Sequence, residues 1–370
     1  MKAIIVNSTF ATKGGARTIL DQFIKNASKY NNTKIPIFIF VPNNYKKESL
    51  NNIFTINMNY KGWLKRFYWE TFGLNTWITK QHIEPILYIS LQNNGLFYKK
   101  KIKNIRQIIY YHQGIPFDNS IKWSFFKKTE SRMWIYRYIY PLFIRASARK
   151  NKDIFIVQTN WMKDEMKKHR LFKKINIQIY KPDLPQCKLK EKYSFKKKDK
   201  YVLFYPAFDY KYKNHILLVN LIKEIENRNS ILCNKIEIVV TLDNDSTSFE
   251  FVKENSFEDY FNFVGSLTNE EVFEMYYKAD ALIFPSLLES FGLPLLEAAQ
   301  IGLPILSINK SYAREVLYGY DGVFFANMNK VSDWVDKLED MISIKKIYEN
   351  FSPKYDSGWK EFFNLINEQT

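Results

Sequence analysis

The chain has 370 residues, of which 46% are hydrophobic and 25% are charged. This length is sufficient for two domains that each have a core, and the composition excludes a disordered protein. Lys and Arg outnumber Asp and Glu by 55 to 38, which gives a net charge of +17.

The positive charge is concentrated in the first half of the chain. Residues 1–192 contain 36 Lys and Arg against 11 Asp and Glu, a net charge of +25, whereas residues 193–370 contain 19 against 27, a net charge of −8. Because the two halves have net charges of opposite sign, we expect them to bind different partners. The basic half favours an anionic partner, such as nucleic acid, a membrane surface or a phosphorylated substrate.

Cysteine content and the amino terminus indicate the cellular compartment. Cys187 and Cys233 are too few for a disulfide framework and are expected to be free thiols. The apolar run between Lys2 and Asn7 is too short for a signal peptide. No uncharged apolar run approaches the roughly 18 residues that a membrane-spanning helix needs. We therefore expect a cytoplasmic protein.

The first half of the chain alternates short apolar runs with helical patterns. "KAIIVNS" predicts a buried strand, "TKGGAR" a turn and "TILDQFIKNA" a helix with apolar residues at helical spacing. Further predicted strands are "KIPIFIFV", "PILYISL", "RQIIYYH" and "DIFIVQT", and "NWMKDEMKKHRLF" predicts another helix. Such alternation indicates a parallel sheet that is covered on both faces.

A charged segment with two prolines, "YKPDLPQCKLKEKYSFKKKDK", interrupts this pattern, and we place a linker at residues 188–199. A second alternating series then runs from "YVLFYPA" to "VFFA". The sequence thus predicts an α/β fold with two doubly wound Rossmann-like domains that face each other across a cleft. The first domain covers residues 1–187 and the second covers residues 200–352.

One apolar stretch of the second domain carries unexpected charge. "PSLLESFGLPLLEAAQIGLPIL" has two glutamates eight positions apart, Glu289 and Glu297. In open α/β sheets ligands bind beyond the carboxyl ends of the strands, and "LLESFG" follows the predicted strand "ALIFPS". Pro294 is suited to the first turn of the next helix.

The start of that helix has the features of an anion site. The N–H groups near Phe291, Gly292 and Leu293 are expected to face outward at a helix end that favours a phosphate, and a glycine permits close approach of the backbone. A diphosphate at the helix tip, with a hydroxyl-rich group beside each carboxylate, accounts for the pattern. The spacing alone also permits a capped helix with two solvated glutamates.

The same stretch resembles the Glu-x7-Glu signature of the family 4 retaining glycosyltransferases, which have the GT-B fold. Other segments with counterparts in this family, in chain order, are "NSTFATKGGARTIL", "IIYYHQGIPF", "IVQTNWMKDEM", "YPAFDYKYKNHILLVNLI", "NFVGSLTNEEVFEMYYKADALIFPS" and "SYAREVLYGYDGVFF". "SPKYDSGWKEFFNLINEQ" resembles the last helix, which in this fold crosses back to the first domain. The resemblance therefore assigns residues 353–370 to such a helix.

The resemblance implies roles for matching residues of the second domain. Glu289 is expected to contact and orient the donor sugar, and Glu297 to hold the ribose hydroxyls of the nucleotide. Lys213 matches the lysine that neutralises the diphosphate. Phe208 departs from the family pattern, because an arginine is common five positions before the lysine. Neutralisation is then left to Lys213 and the helix tip, with Lys211 as a further candidate.

The resemblance also implies roles in the first domain. Gly14 and Gly15 match a loop whose backbone approaches the phosphate from the opposite domain. His112 matches a histidine near the sugar and the scissile bond. Family membership would imply retention of anomeric configuration, and neither a cofactor nor a metal is expected.

Other motifs in the sequence do not indicate a metal site or another class of enzyme. "LDND", residues 242–245, imitates an Asp-x-Asp metal site, but we expect a surface turn because it follows a predicted strand. His82, His169 and His215 are isolated, and none has zinc-like spacing with cysteine. The sequence has neither Gly-x-Gly-x-x-Gly nor a P-loop pattern, which argues against a dinucleotide oxidoreductase or a P-loop enzyme.

Two segments of the basic half are rich in aromatic residues between cations, "WLKRFYWETF" and "IKWSFFKKTESRMWIYRYIYPLFIRASARKNK". Such segments are typical of a membrane interface with anionic lipids, although the aromatics can equally be core residues. For "MWIYRYIYPLF" we expect core. For the charge of the domain as a whole we favour a membrane, since +25 exceeds what solubility requires.

We therefore predict a retaining, metal-independent glycosyltransferase at the inner face of the cytoplasmic membrane. It would move a sugar from a nucleotide diphosphate-sugar to a lipid-linked oligosaccharide during O-antigen, lipopolysaccharide or capsule assembly. A nucleotide-sugar epimerase of the same fold is the alternative enzyme. A nucleic-acid-binding protein is the alternative from another class, but the two motif glutamates disfavour it because they add negative charge.

Overall fold

The computed structural model of the chain describes residues 1–46, 49–50, 52–59, 62–97, 105–148, 152–184, 199–344, 346–353 and 357–370. These residues form two compact units. Unit 1 comprises Met1–Asp183 with Asp356–Thr370, and unit 2 comprises Leu184–Tyr355. Cys187 and all of the predicted linker except Asp199 lie outside the described residues.

Strands and helices alternate along most of the described chain. The strands are β1 Lys2–Asn7, β2 Ile37–Pro42, β3 Ser49–Leu50, β4 Ile53–Met58, β5 Glu84–Ser90, β6 Arg106–Tyr110, β7 Ile154–Val157, β8 Asn176–Ile179, β9 Tyr201–Tyr205, β10 Ile236–Val240, β11 Phe261–Phe263, β12 Ala281–Phe284, β13 Ile305–Ile308 and β14 Val323–Ala326. The α-helices are α1 Gly14–Tyr30, α2 Trp63–Tyr68, α3 Leu74–Lys80, α4 Lys128–Tyr138, α5 Tyr140–Ala146, α6 Asn160–Lys168, α7 His215–Asn227, α8 Thr247–Glu254, α9 Asn269–Lys278, α10 Leu293–Gln300, α11 Ser311–Val316, α12 Val331–Ile344 and α13 Trp359–Gln369. A π-helical segment, Trp69–Gly73, joins α2 to α3, and Lys211–Lys213 and Glu258–Tyr260 are 3₁₀ turns.

Unit 1 is built on an eight-stranded sheet in the order β3-β4-β2-β1-β5-β6-β7-β8. All of its pairings are parallel except β3 with β4. The central strand β1 is buried on both faces from Ala3 to Asn7, as the continuous apolar run predicts for a parallel strand. The strand order reverses between β1 and β5, and this reversal is where open α/β sheets bind ligands.

The carboxyl-terminal helix α13 is part of the core of unit 1. Trp359, Phe362 and Phe363 surround Phe23 of α1, with ring centroids 6.0, 6.0 and 5.3 Å away. The Trp359 indole donates a hydrogen bond of 2.9 Å to Oε1 of Gln22. The predicted return of the last helix to the first domain is therefore confirmed.

Unit 2 is built on a six-stranded parallel sheet in the order β11-β10-β9-β12-β13-β14. Strands β12 and β13 are buried along their whole length. Helix α9 begins with a capping box in which Thr268 and Glu271 bond to each other's backbone N–H groups. The strand order reverses between β9 and β12, so the loops after these two strands form the predicted ligand-binding edge.

The aromatic segment from Met133 to Phe143 is more exposed than the sequence predicts. We expected these residues to be core, but Ile135, Tyr138, Leu142 and Phe143 are exposed, with 37% to 53% of their surface accessible. The helices α4 and α5 therefore present apolar side chains to solvent. Within the described residues, no helix is long and apolar enough to cross a membrane.

Candidate active site

The candidate site of unit 2 lies in the loops that follow β9 and β12. The loop after β12 is tied to the 3₁₀ turn Lys211–Lys213, because the N–H of Leu287 donates to the carbonyl oxygen of Tyr212 at 2.7 Å. Asn214 takes a left-handed conformation, with φ of 59°, and its side-chain amide donates to the carbonyl oxygen of Pro285 at 3.3 Å. Two loops that are more than 70 residues apart in sequence are thereby held together.

An ion pair occupies the junction of these loops. Nζ of Lys213 lies 2.5 Å from Oε1 of Glu289, and each side chain is 15% exposed. The hydroxyl of Tyr205 donates to the carbonyl oxygen of Lys213 at 2.7 Å, which fixes the lysine backbone. An ammonium has three N–H donors and a carboxylate has two oxygens. Each partner of the pair can therefore also bind a ligand.

Helix α10 begins at Leu293, shortly after Glu289 in the sequence. Gly292 has φ of 93°, and a Cβ at this position would lie 3.2 Å from Cδ1 of Leu295, so the turn requires glycine. Phe291 is buried, Leu293 begins the helix and Pro294 is in its first turn, as predicted. The first-turn N–H groups of a helix have no intrahelical acceptor and attract an anion.

Glu297 lies one turn further along α10, where it is partly buried. Its Oε2 accepts a hydrogen bond of 2.9 Å from the hydroxyl of Tyr276 on α9. Burial raises the pKa of Glu297 to about 7, although the Tyr276 hydroxyl opposes this shift by stabilising the ionised form. Sequence reasoning missed Tyr276, because nothing in the pattern of α9 indicates which carboxylate its tyrosine would meet.

A second tyrosine supports the loop that carries Glu289. The hydroxyl of Tyr312 donates to the carbonyl oxygen of Ser286 at 2.5 Å, and its side chain is only 2% exposed. The hydroxyl of Ser286 donates to the carbonyl oxygen of Leu288 at 3.3 Å. These bonds fix the backbone immediately before Glu289, and fixed geometry is what a positioned catalytic group requires.

A pair of stacked aromatic rings lies near the cation. Tyr210 and Tyr212 are stacked, with centroids 5.4 Å apart and planes 8° from parallel, and Nζ of Lys213 is 5.4 Å from the Tyr212 ring. Phe208 contacts Tyr210 edge to face and is 42% exposed. Lys211 is exposed.

The remaining predicted site residues lie in unit 1. Gly14 and Gly15 begin α1, and Gly14 has φ of 63°. His112 follows β6, and its backbone N–H donates to Oδ1 of Asn93 at 2.7 Å. Burial and the nearby Arg66 guanidinium lower the pKa of His112 to about 4, so its imidazole is neutral at pH 7.

The acidic motif at residues 242–245 lies in the loop after β10, as predicted. Oδ1 of Asp243 lies close to Gly265 after the neighbouring strand β11. In the described part of the chain, no three His, Cys, Asp or Glu residues are grouped as a metal site would require.

Known proteins resemble this chain in part of the sequence and in the whole fold. A model of the family "Glycosyl transferases group 1" matches residues 185–355. In Escherichia coli, "O-antigen chain mannosyltransferase B" is 30% identical over 73 residues, which are 20% of this chain and 19% of that protein. "Serotype-specific mannosyltransferase WbdA" of the same organism is 39% identical over 110 residues, 27% of this chain and 12% of that protein. The chain thus spans less than a fifth of the length of these relatives.

The fold is similar over nearly the whole chain. The structure of sucrose-phosphate synthase from Thermosynechococcus elongatus superimposes with a TM-score of 0.70 at 14% identity, covering 99% of this chain and 94% of that chain. At this identity the likeness concerns the fold alone. It confirms the predicted class, in which two Rossmann-like α/β domains make up the GT-B fold.

Proposed function

We propose that this protein is a glycosyltransferase that uses a nucleotide diphosphate-sugar as donor. The observation that carries the proposal is the Lys213–Glu289 ion pair, held at the edge of a Rossmann-like sheet beside the amino terminus of α10. The match of residues 185–355 to the group 1 glycosyltransferases supports it, because every residue of this cluster lies within the matched range.

The geometry of unit 2 supports a role for each group. The donor diphosphate would accept hydrogen bonds from Nζ of Lys213 and from the first turn of α10. Glu289 would accept hydrogen bonds from hydroxyls of the sugar, and Glu297 would accept hydrogen bonds from the ribose hydroxyls. Phe208 supplies no charge, so Lys213 would carry a larger share of the neutralisation than in relatives with an arginine there.

We further propose that the reaction retains the anomeric configuration and requires no metal. The acceptor hydroxyl attacks the anomeric carbon on the face from which the diphosphate leaves. A new carbon–oxygen bond forms, the bond to the phosphate oxygen breaks, and the leaving phosphate takes the acceptor proton. The protein would then contribute positioning and stabilisation of the departing negative charge, and Lys213 and the helix tip would supply that stabilisation.

The acceptor is proposed to be a lipid-linked glycan of bacterial surface polysaccharide, in O-antigen, lipopolysaccharide or capsule assembly. The two relatives described above are an O-antigen chain mannosyltransferase and a serotype-specific one, which supports this class of product. The enzyme would then work in the cytoplasm at the inner face of the membrane.

A surface of unit 1 supports peripheral attachment to anionic lipid. Phe126 is 95% exposed and Phe125 is 52% exposed, directly before α4. Four exposed cations flank them, namely Lys122, Lys127, Lys128 and Arg132. Aromatic rings at headgroup level beside cations over anionic lipid are the usual composition of an interfacial segment.

A thermal-shift screen of nucleotides and nucleotide-sugars tests the proposal. A ligand at 100 times its dissociation constant stabilises the folded state by about 2.7 kcal/mol, so a true donor should raise the melting temperature clearly. Turnover of that donor with a lipid-linked acceptor should follow. A filter-binding assay with RNA and DNA serves as the counter-test, and tight nucleic-acid binding without any nucleotide-sugar response would refute the transferase.

A further inference from the structure

The two connections between the units differ in length. The outward connection leaves unit 1 after Asp183, and the return connection enters it again at Asp356. Seventeen residues lie between Asp183 and β9, the first strand of unit 2, whereas six lie between Phe351 and Gly358, which are both anchored. Because the reach of a chain grows with its number of residues, the return connection limits the separation of its ends more tightly.

On the side of unit 2, the return connection is anchored to the carboxyl end of α10. The N–H of Phe351 donates to the carbonyl oxygen of Ala299, in the last turn of that helix, at 2.9 Å. Gly302 follows the helix with φ of 76°, and a Cβ there would clash with the carbonyl oxygen of Tyr348. The backbone of Tyr348 therefore lies directly against the end of α10, an approach that glycine permits.

The buried Tyr320 strengthens this anchor. Its ring centroid lies 5.4 Å from that of Phe351 and 6.1 Å from that of Tyr348. Its hydroxyl donates to the carbonyl oxygen of Leu303 at 2.8 Å. Packing and hydrogen bonds thus hold the start of the return connection, so a shift of the carboxyl end of α10 would move it.

On the side of unit 1, the same connection is anchored to α1. The N–H of Gly358 donates to the carbonyl oxygen of Lys181 at 2.9 Å, and a Cβ on Gly358 would lie 2.6 Å from Cβ of Tyr180. The indole of Trp359 donates to Oε1 of Gln22, which is a residue of α1, at 2.9 Å. The end of the return connection therefore has no room to move independently of α1.

The Gln22 amide holds the outward connection as well. Its Oε1 accepts from the N–H of Asp183 at 2.8 Å, and its Nε2 donates to the carbonyl oxygen of Asp183 at 3.1 Å. Asn26, one turn further along α1, donates to Oδ2 of Asp183 at 2.7 Å. Both connections are thus fixed to α1 where they meet unit 1.

The two anchored helices are the ones that carry the predicted phosphate-binding groups. Helix α10 begins at the tip that is proposed to bind the donor diphosphate, and α1 begins at Gly14 and Gly15, about two turns before Gln22. A packed helix moves as a rigid rod, since its backbone is hydrogen-bonded throughout. A displacement at one end of such a helix is therefore delivered at the other end.

We propose that the return connection from Phe351 to Gly358 is a strap that couples α10 to α1. The inference rests on the proposed function, because the displacement that it transmits is the one caused by a nucleoside diphosphate at the tip of α10. The strap passes this shift to α1 and orders the glycine loop at the start of that helix. Trp359 and Gln22 are then positioning residues that touch no substrate.

Lengthening the strap tests the proposal and leaves both anchors intact. Gly-Ser-Gly-Ser would be inserted between Tyr355 and Asp356 of the full chain. The matched control has the same insertion in the outward connection, between Tyr193 and Ser194. In the wild type and in the control, bound GDP or UDP should slow hydrogen exchange around Gln22 and in the first turn of α13 at least threefold, measured by mass spectrometry. In the strap insertion this protection should disappear.

Kinetics give a readout that a loss of stability alone would not move. The strap insertion should lower kcat at least tenfold at saturating donor. The dissociation constant of the nucleoside diphosphate should change by no more than the factor by which exchange was slowed, because coupling between two sites is reciprocal. The control insertion should leave both quantities within twofold of the wild type.

A pair of glycine variants tests the α10 anchor by a second route. Gly302 and Gly319 have φ of 76° and 87°, so alanine strains the backbone at either position. At Gly319 no described atom lies within 4 Å of the added Cβ, whereas at Gly302 it meets the Tyr348 backbone. Both Gly302→Ala and Gly319→Ala should lower the melting temperature, but only Gly302→Ala should lose the protection around Gln22.

The outcomes distinguish the strap from the proposed function. Failure of the wild type to bind any nucleoside diphosphate would reject the proposed donor and the strap with it. Three results would overturn the strap and leave the transferase in place. They are binding without protection around Gln22, protection that survives the strap insertion, and equal losses in the two insertion variants.

Discussion

The two units have the same kind of ligand-binding edge but opposite chemistry. In unit 2 the edge carries an ion pair, a helix amino terminus and a carboxyl group whose pKa burial raises to about 7. In unit 1 the edge carries neutral polar atoms that have no hydrogen-bond partner among the described residues, and a guanidinium that is paired with Glu70. The topology fixes where each site lies, and the loop side chains decide which ligand it takes.

The comparison also shows that the net charge of a domain does not predict the charge at the ligand-binding edge of its sheet. The basic half of the sequence carries +25 within residues 1–192, yet its polar edge is electrically balanced. Its exposed cations include those around Phe125 and Phe126. The acidic half has the ion-paired lysine that would meet the most highly charged substrate group. We therefore expect the charge on the surface and the charge in a site to meet different partners.

The largest effect is expected from removing the cation of the charged site. Lys213→Ala should cost on the order of 2–4 kcal/mol in transition-state stabilisation, about 30- to 1000-fold in kcat/KM, comparable to losing one preorganised oxyanion donor. Steady-state kinetics with the donor identified by the screen would measure it. Lys211→Ala, in the same turn, tests the further candidate for this neutralisation and should cost less than Lys213→Ala, because Lys211 is exposed. Equal losses in the two variants would contradict a special role for Lys213.

The two motif glutamates should separate binding from turnover. Glu289→Gln removes the negative charge beside Lys213 and should lower kcat at least tenfold with little change in nucleotide affinity. Glu297→Ala should weaken nucleotide binding itself about tenfold, since its proposed partner is the ribose. Titration of the nucleoside diphosphate, alongside kinetics, distinguishes the two. Near wild-type behaviour of both variants would reject the assignment of the motif.

The sequence predicts the fold well, because hydrophobic periodicity and continuous apolar runs indicate directly which residues are buried. Strands β1, β5 and β12 each lie where such a run was found. The proximity of Lys213 and Glu289 was suggested only by the family resemblance, and their direct ion pair was not predicted, since 76 residues separate them. Contacts of this kind depend on how loops meet after the sheet has formed.

Partners of the site residues were the least predictable features. Tyr276 and Tyr312 appear in the sequence as ordinary aromatic residues, and their hydroxyl bonds to Glu297 and to the Ser286 backbone depend on helix packing. The exposed aromatics of α4 and α5 were assigned to the core, because hydrophobicity at helical spacing does not show whether another element covers that face.

The raised pKa of Glu297 should make both the stability of the fold and the affinity for nucleotide depend moderately on pH. Folding raises this pKa from 4.5 to about 7, so the folded state retains a proton that the unfolded state releases within that window. The stability contributed by this group is therefore full below pH 4.5, falls as pH rises toward 7 and is constant above it. Nucleotide affinity should change in the opposite direction, because ribose hydroxyls bond best to the ionised carboxylate.

Matched variants isolate this titration. Glu297→Gln should remove the group's contribution to both pH profiles, measured by thermal unfolding and by nucleotide titration between pH 4.5 and 8. Tyr276→Phe removes the hydroxyl that stabilises the ionised form and should move the midpoint of the affinity profile to higher pH. A wild-type affinity that is independent of pH would show that Glu297 does not bind the nucleotide in its ionised form.

The smallest expected effect concerns the charged surface of unit 1. Replacing any one of Lys122, Lys127, Lys128 and Arg132 by glutamine should weaken association with anionic liposomes about fivefold, since each contributes about 1 kcal/mol, and should leave nucleotide binding unchanged. Wild-type association should itself fall as salt rises, because the Debye length is about 8 Å at physiological ionic strength. Flotation with and without phosphatidylglycerol measures it. Wild-type protein that ignores anionic liposomes at low salt would contradict membrane attachment but not sugar transfer.

Calorimetric titration tests the central claim most directly, by asking whether the charged edge of unit 2 recognises a diphosphate. GDP and UDP should each be compared with the corresponding nucleoside monophosphate, on the wild type and on Lys213→Ala. The account predicts that the wild type binds one diphosphate at least tenfold more tightly than its monophosphate, and that Lys213→Ala loses most of this preference. Equal affinity of the wild type for both nucleotides, or an unchanged preference in Lys213→Ala, would contradict it.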